Sequence, residues 1–128
     1  MPVILLADDS AAVRRFVTRV LTRSGYDTIA CADGMAAYHT ALAADVAPDI
    51  VVTDFDMPGL NGVELIERLR ERYPALPAVV ITGSGGAEAA RSLALPAGNT
   101  VLLHKPFDPA ALLGAVGSLL SGDAPDHG

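Results

Sequence analysis

Five side chains able to do polar chemistry stand at the ends of short apolar runs. Asp8 and Asp9 follow VILLA, Asp54 closes DIVVTD, Thr82 closes AVVIT, and Lys105 follows TVLLH. Lys105 is also the single lysine among nine cationic residues; arginine supplies the rest. A lysine is a compact, mobile point charge where arginine is a rigid planar fork. If these five residues meet, three carboxylates crowd one place. Like charges at such distances cannot all ionise without compensation. One ammonium offsets one charge, and a hard divalent cation offsets two more. Two or three carboxylate oxygens completed by water suit Mg²⁺, which gives up its hydration shell reluctantly; Mn²⁺ accepts the same donors. No cluster of cysteine and histidine accompanies them to suggest zinc.

The elements between these residues alternate. Apolar runs at 3–7, about 28–32, 49–54, 78–83 and 100–104 are of the kind buried on both faces of a parallel sheet. Between them lie segments of helical period. Ser10 is placed to cap a helix in which Val13, Phe16, Val17, Val20 and Leu21 repeat at helical spacing, and Gly25 ends it. An Ala-rich helix runs from Asp33 to about Ala44. Asn61 caps a third, with Leu65, Ile66 and Leu69 inward, Glu64 and Arg68 one turn apart outside, and Pro74 as its stop. A short, weakly patterned helix is expected over about 86–94. Asp108 caps the last, with Pro109 at its first position. Five strand–helix pairs read as an open parallel sheet covered on both faces. In such sheets the crevice lies beyond the carboxyl ends of the strands, where strand order reverses. With the order 2-1-3-4-5, the first and third strands are neighbours there. Asp8, Asp9 and Asp54 then share one crevice, flanked by Thr82 and Lys105.

Composition narrows the function. The 128 residues suit one domain with a real core. A net charge of −6 argues against nucleic-acid binding through bulk charge. The one cysteine, Cys31, cannot form an intramolecular disulfide, fits a reducing cytoplasm, and reads as a small buried hydrophobe. The N-terminal apolar run is too short for a signal peptide or a membrane span. The expected division is one domain over 1–121 and a flexible tail over 122–128, where SGDAPDHG has no core-forming pattern.

The stretches LLADDS, DIVVTDFDMPGLNGVELI, VVITG and LLHKPFD, in this order and spacing, resemble the response-regulator receiver domain of two-component signalling over essentially the whole chain. The resemblance implies a flavodoxin-like (βα)5 doubly wound sheet in three α/β/α layers, strand order 2-1-3-4-5. It implies that Asp54 accepts a phosphoryl group from a histidine kinase or histidine phosphotransfer protein, and that the domain is not an enzyme beyond its own phosphorylation and dephosphorylation. It implies Mg²⁺ held by Asp9, Asp54 and the backbone carbonyl of Asp56, with Asp8 acting through water. Lys105 would contact phosphoryl oxygens, and Thr82 would bond the attached group. The chemistry agrees: a carboxylate can be the nucleophile that forms an aspartyl phosphate. Phosphoryl transfer asks the protein chiefly for positioning and charge neutralisation.

Several positions depart from the family pattern or suggest another use. The residue three before the lysine is often aromatic in receivers and is Leu102 here. Asp56 and Ser84 stand where residues influence phosphate lifetime. Arg15, Arg19 and Arg23 make a basic stripe on the first helix, the candidate docking face for the phosphodonor protein. The uncharged last helix is a candidate surface for self-association or a neighbouring domain. DFDMP also satisfies the D-x-D motif of haloacid-dehalogenase-like phosphatases, with Asp54 as nucleophile and Asp56 as acid/base. In that family the motif follows the first strand, whereas here it follows the third. A flavin-phosphate site is disfavoured because DDSAA would repel the phosphate.

Overall fold

The computed structural model describes residues 2–43, 47–83 and 99–121. The helix expected over 86–94, Ser84, and the tail at 122–128 lie outside the described residues. Within them, β1 (Val3–Ala7), α1 (Ala11–Arg23), β2 (Asp27–Cys31), α2 (Gly34–Ala43), β3 (Ile50–Asp54), α3 (Gly62–Arg72), β4 (Ala78–Thr82), β5 (Thr100–His104) and α4 (Pro109–Leu120) follow one another. The strands form one parallel sheet in the order β2-β1-β3-β4-β5. This is the expected flavodoxin-like α/β fold with strand order 2-1-3-4-5.

Successive side chains point to opposite faces, so every strand but one feeds two cores. The edge strand β2, expected to be buried on both faces, gives Ile29 and Cys31 to one core only, because no strand among the described residues lies beyond it. Leu5, Val51 and Val80 face Ala37 and Ala41 of α2 and Leu65, Ile66 and Leu69 of α3. Ile4, Leu6, Val52 and Ile81 face Val17 and Leu21 of α1 and Leu112, Val116 and Leu119 of α4. Burial on both faces is why these strands read as continuous apolar runs.

The helix starts follow local side-chain chemistry. Ser10 Oγ accepts from the Val13 N–H at 3.3 Å, Asp33 Oδ1 from Ala36 at 2.7 Å, and Asp108 Oδ1 from Ala111 at 2.9 Å. Asn61 and Glu64 form a reciprocal capping box, both bonds 2.9 Å. Glu64 therefore turns back to the Asn61 N–H, and Arg68 lies over the Tyr38 ring at 5.8 Å. Gly25, at φ +93°, takes the left-handed conformation after α1.

Phe16 keeps the helical period but not the burial expected of it. It is 44% exposed and meets Phe107 with ring centroids 6.2 Å apart. Val17 and Leu21 hold the centre of the buried stripe, with Val13 and Val20 at its margins. Phe16 falls one position round, on the rim facing the segment after β5.

Two contacts tie the fold to the crevice. At the opposite end of the sheet, Arg70 Nε donates to the Leu76 carbonyl at 3.0 Å, and its Nη2 donates to Asn99 Oδ1 at 3.1 Å and Thr100 Oγ1 at 2.8 Å. Burial lowers the Arg70 pKa. This clamp fixes the start of β5, whose other end leads to Lys105. At the crevice itself, a Cβ on Gly62 would stand 2.5 Å from the Asp54 carbonyl oxygen. The start of α3 is thus pressed against the peptide that follows Asp54, and the Gly62 N–H donates to the Phe55 carbonyl at 2.8 Å. Gly62→Ala is expected to lower stability by roughly 1–3 kcal/mol through this overpacking. Urea unfolding measures it; a variant as stable as the parent would show that the contact relaxes freely.

Candidate functional site

The carboxyl ends of β1, β3 and β5 deliver their side chains to one place. Oxygens of Asp8, Asp9 and Asp54 lie within 4.8 Å of one another, the one such cluster of potential metal ligands among the described residues. Asp8 is fully buried, Asp54 is 6% exposed, and Asp9 is exposed. Lys105 Nζ stands 3.4 Å from Asp54 Oδ1, the one ion pair found among the described residues. Thr82 is buried at the end of β4, and its carbonyl accepts from the Lys105 N–H at 2.8 Å. The Lys105–Pro106 peptide is cis. The three aspartates and Lys105 picked out by type and spacing therefore converge, and Thr82 stands at the end of the adjoining strand β4. Asp56 is different: it is exposed in the loop after β3, and its side chain is not in the cluster.

The backbone around the acidic pair is closely held. The Asp8 N–H donates to the Cys31 carbonyl at 3.1 Å. The Ser10 N–H donates to Asp8 Oδ1 at 2.9 Å, and Arg14 Nη1 donates to the Asp8 carbonyl at 2.7 Å. Arg14 does not stand out in the sequence, where the surface stripe 15-19-23 is more visible. Its signal is the spacing from Ser10: four residues on from the cap, it faces the same loop.

Three buried side-chain oxygens have no partner among the described residues: Thr28 Oγ1 within β2, and Asp8 Oδ2 and Thr82 Oγ1 at the carboxyl ends of the strands. Buried polar atoms are ordinarily bonded, so the two at the strand ends mark places that can receive something. Burial raises the Asp8 pKa, opposed by the Ser10 N–H and by the charges of Lys105 and Arg14. Burial also raises that of Asp54, reinforced by the Asp8 charge and opposed by Lys105. One lysine leaves the pocket short of positive charge. That shortage and the free oxygen of Asp8 fit a hard divalent cation.

The site is thus an under-neutralised acidic pocket at the switch point of a doubly wound parallel sheet. Residues 4–117 match the response regulator receiver domain family, and the chain belongs to that family. It is 33% identical to the chemotaxis protein CheY1 of Helicobacter pylori, over 85% of this chain and 89% of that protein. It is 39% identical to the response regulator MprA of a Mycobacterium species, over the whole of this chain and 55% of that longer protein. A receiver protein from Sinorhizobium medicae superposes with a TM-score of 0.86 at 33% identity, over 94% of each chain. Vibrio cholerae CheY4 superposes with a TM-score of 0.83 at 30% identity, over 93% of this chain and 98% of that one. The protein is thus a receiver domain of two-component signalling, a signalling module rather than a conventional enzyme, and its family implies a kinase or phosphotransfer partner. The dehalogenase-like alternative falls with that assignment. No helix among the described residues is long and apolar enough to cross a membrane.

The raised carboxyl pKa values carry a sign. The native pocket binds protons more tightly than the unfolded chain does. The stability linked to this is present below the ordinary carboxylate pKa and is lost as pH rises through the raised native values. Without divalent metal, Asp8→Asn is therefore expected to melt higher than the parent at neutral pH, with the advantage shrinking on acidification. Thermal unfolding in chelator across pH tests this. An Asn variant less stable than the parent at neutral pH would mean that the Asp8 charge is already compensated.

Proposed function

We propose that Asp54 is the phospho-acceptor. The observation that carries this reading is the Lys105 ammonium 3.4 Å from the carboxylate of Asp54, inside a pocket that also holds Asp8 and Asp9. An Asp54 oxygen attacks phosphorus on a phosphohistidine or a small acyl phosphate. The phosphorus–oxygen bond to Asp54 forms as the bond to the leaving imidazole or carboxylate breaks, and the leaving group takes the electron pair. Lys105, already paired with Asp54, follows the charge onto the phosphoryl oxygens. Thr82, with an unpartnered hydroxyl, donates a hydrogen bond to the attached group.

Asp9 and Asp54 would hold Mg²⁺ directly with the carbonyl of Asp56, and Asp8 would act through water. When bound, the ion neutralises charge on the transferring group. Mn²⁺ suits the same oxygen donors. Leu102, partly buried against the core cluster beneath α2 and α3, has no ring to swing when Thr82 engages. The switch in this chain then rests on Thr82 and Lys105.

The phosphodonor is a histidine kinase or histidine phosphotransfer protein, docking on α1. Arg15, Arg19 and Arg23 are exposed there. Beside them, Phe16, Val20 and Leu113 line a hollow of about 390 Å³ together with Arg19 and Arg23. A basic rim around an apolar floor suits a helical partner with acidic flanks. The uncharged α4, with Ala110, Ala111 and Gly114 exposed, offers a second face for a neighbouring domain or another copy. Residues 1–121 form the domain, and 122–128 a tail. The single free Cys31 fits a reducing cytoplasm.

Intact-mass measurement with acetyl phosphate and Mg²⁺ is expected to show one added phosphoryl group, absent in Asp54→Ala. Full labelling of that variant would remove Asp54 from the role. The double variant Arg15→Glu, Arg19→Glu is expected to slow labelling by the protein donor and to leave acetyl phosphate labelling nearly unchanged. Equal slowing with both donors, or no slowing with either, would contradict docking on α1.

A further inference from the structure

We propose that Arg14 is a positioning residue for the metal-bearing turn, acting on Asp9 through the Asp8–Asp9 peptide; the inference rests on the reading of Asp9 and Asp54 as metal ligands. The two aspartates are held unequally. Asp8 is anchored by its own N–H on the Cys31 carbonyl and by its carboxylate on the Ser10 N–H. Asp9 is exposed, and its side chain has no hydrogen bond or ion pair among the described residues. What orients Asp9 is therefore the backbone that presents it. The Asp8 carbonyl belongs to the peptide plane that ends at Asp9. Arg14 Nη1 holds that carbonyl at 2.7 Å with a charge-assisted bond, the short and strong kind. Fixing that plane fixes the Asp9 N and Cα, and the Ser10 N–H bond to Asp8 Oδ1 holds the plane that follows. Between two held planes the direction in which the Asp9 side chain leaves is set.

Arg14 is itself well placed to be rigid. It lies in the first turn of α1, and its backbone N–H donates to the Ser10 carbonyl at 2.9 Å. The helix that presents the exposed arginines Arg15 and Arg19 also fixes the turn carrying the two aspartates. The reach and planar fork of a guanidinium make this contact from a helix onto a neighbouring loop, which a point charge does not reproduce.

Position and charge predict opposite signs. A cation beside the site repels a second cation, so by charge alone Arg14→Met would tighten Mg²⁺ binding. Loss of a group that orients a ligand weakens metal binding, typically by about 10–100-fold. The test is a Mg²⁺ titration of the full chain followed by amide NMR, at a temperature where each metal-free variant is folded. Arg14→Met is expected to weaken affinity on the order of 10-fold, and Arg14→Lys, which keeps the charge, to weaken it as well. Arg14→Gln replaces the Met variant if that one does not fold, with the same expectation. Unchanged or tighter binding in the neutral variant overturns the proposal, as does parental affinity in Arg14→Lys. Asp9→Asn separates the layers. If it loses metal while the Arg14 variants do not, the Arg14 proposal alone fails. If it binds as the parent does, the metal reading fails and this inference with it.

Discussion

The arrangement of the whole crevice depends on one electrostatic shortfall. Three carboxylates approach within 4.8 Å, two of them buried, and one lysine ammonium faces them. Water would screen such a cluster, but burial removes the water, and the carboxyl pKa values of Asp8 and Asp54 rise in consequence. A pocket in this condition favours the arrival of positive charge. It also disfavours the phosphorylated state unless that charge is present. With Asp54 as the proposed phospho-acceptor, the same shortfall would couple metal, lysine and phosphoryl group to one another.

The fold supplies the rigidity that such crowding requires. Asp8, Asp54, Thr82 and Lys105 are at or just beyond the ends of four neighbouring parallel strands, so sheet register sets their spacing. Asp54 is backed by Gly62, which leaves no room for a side chain between α3 and the Asp54 carbonyl. β5 is pinned at its start by Arg70 and leads to Lys105 at its finish. A side chain on a frame of this kind moves by rotation about its own bonds. That suits a lone lysine serving one charge before transfer and another after it.

Much of this was legible in the sequence, for physical reasons. Strands buried on both faces leave continuous apolar runs, and caps such as Ser10, Asn61 and Asp108 announce helix starts through short-range hydrogen bonds. Reactive residues at strand ends needed only the switch-point rule to be brought together. What stayed hidden was of another kind. Arg14 acts on a backbone carbonyl, and a carbonyl has no residue type to recognise. Arg70 meets Asn99 and Thr100 across about thirty residues, with no charge partner to suggest the match. Phe16 obeys the helical period yet lies on the rim, because periodicity gives the face of a helix and not the width of what covers it.

The charge shortfall can be measured at its centre. Carbon-13 NMR of the Asp54 carboxyl, titrated with pH in metal-free protein and again with Mg²⁺, reports its protonation directly. The account predicts a midpoint above the ordinary carboxylate range without metal, and a fall in that midpoint when Mg²⁺ is added. An ordinary midpoint that is indifferent to Mg²⁺ would contradict it, because Lys105 alone would then be enough to neutralise the pocket.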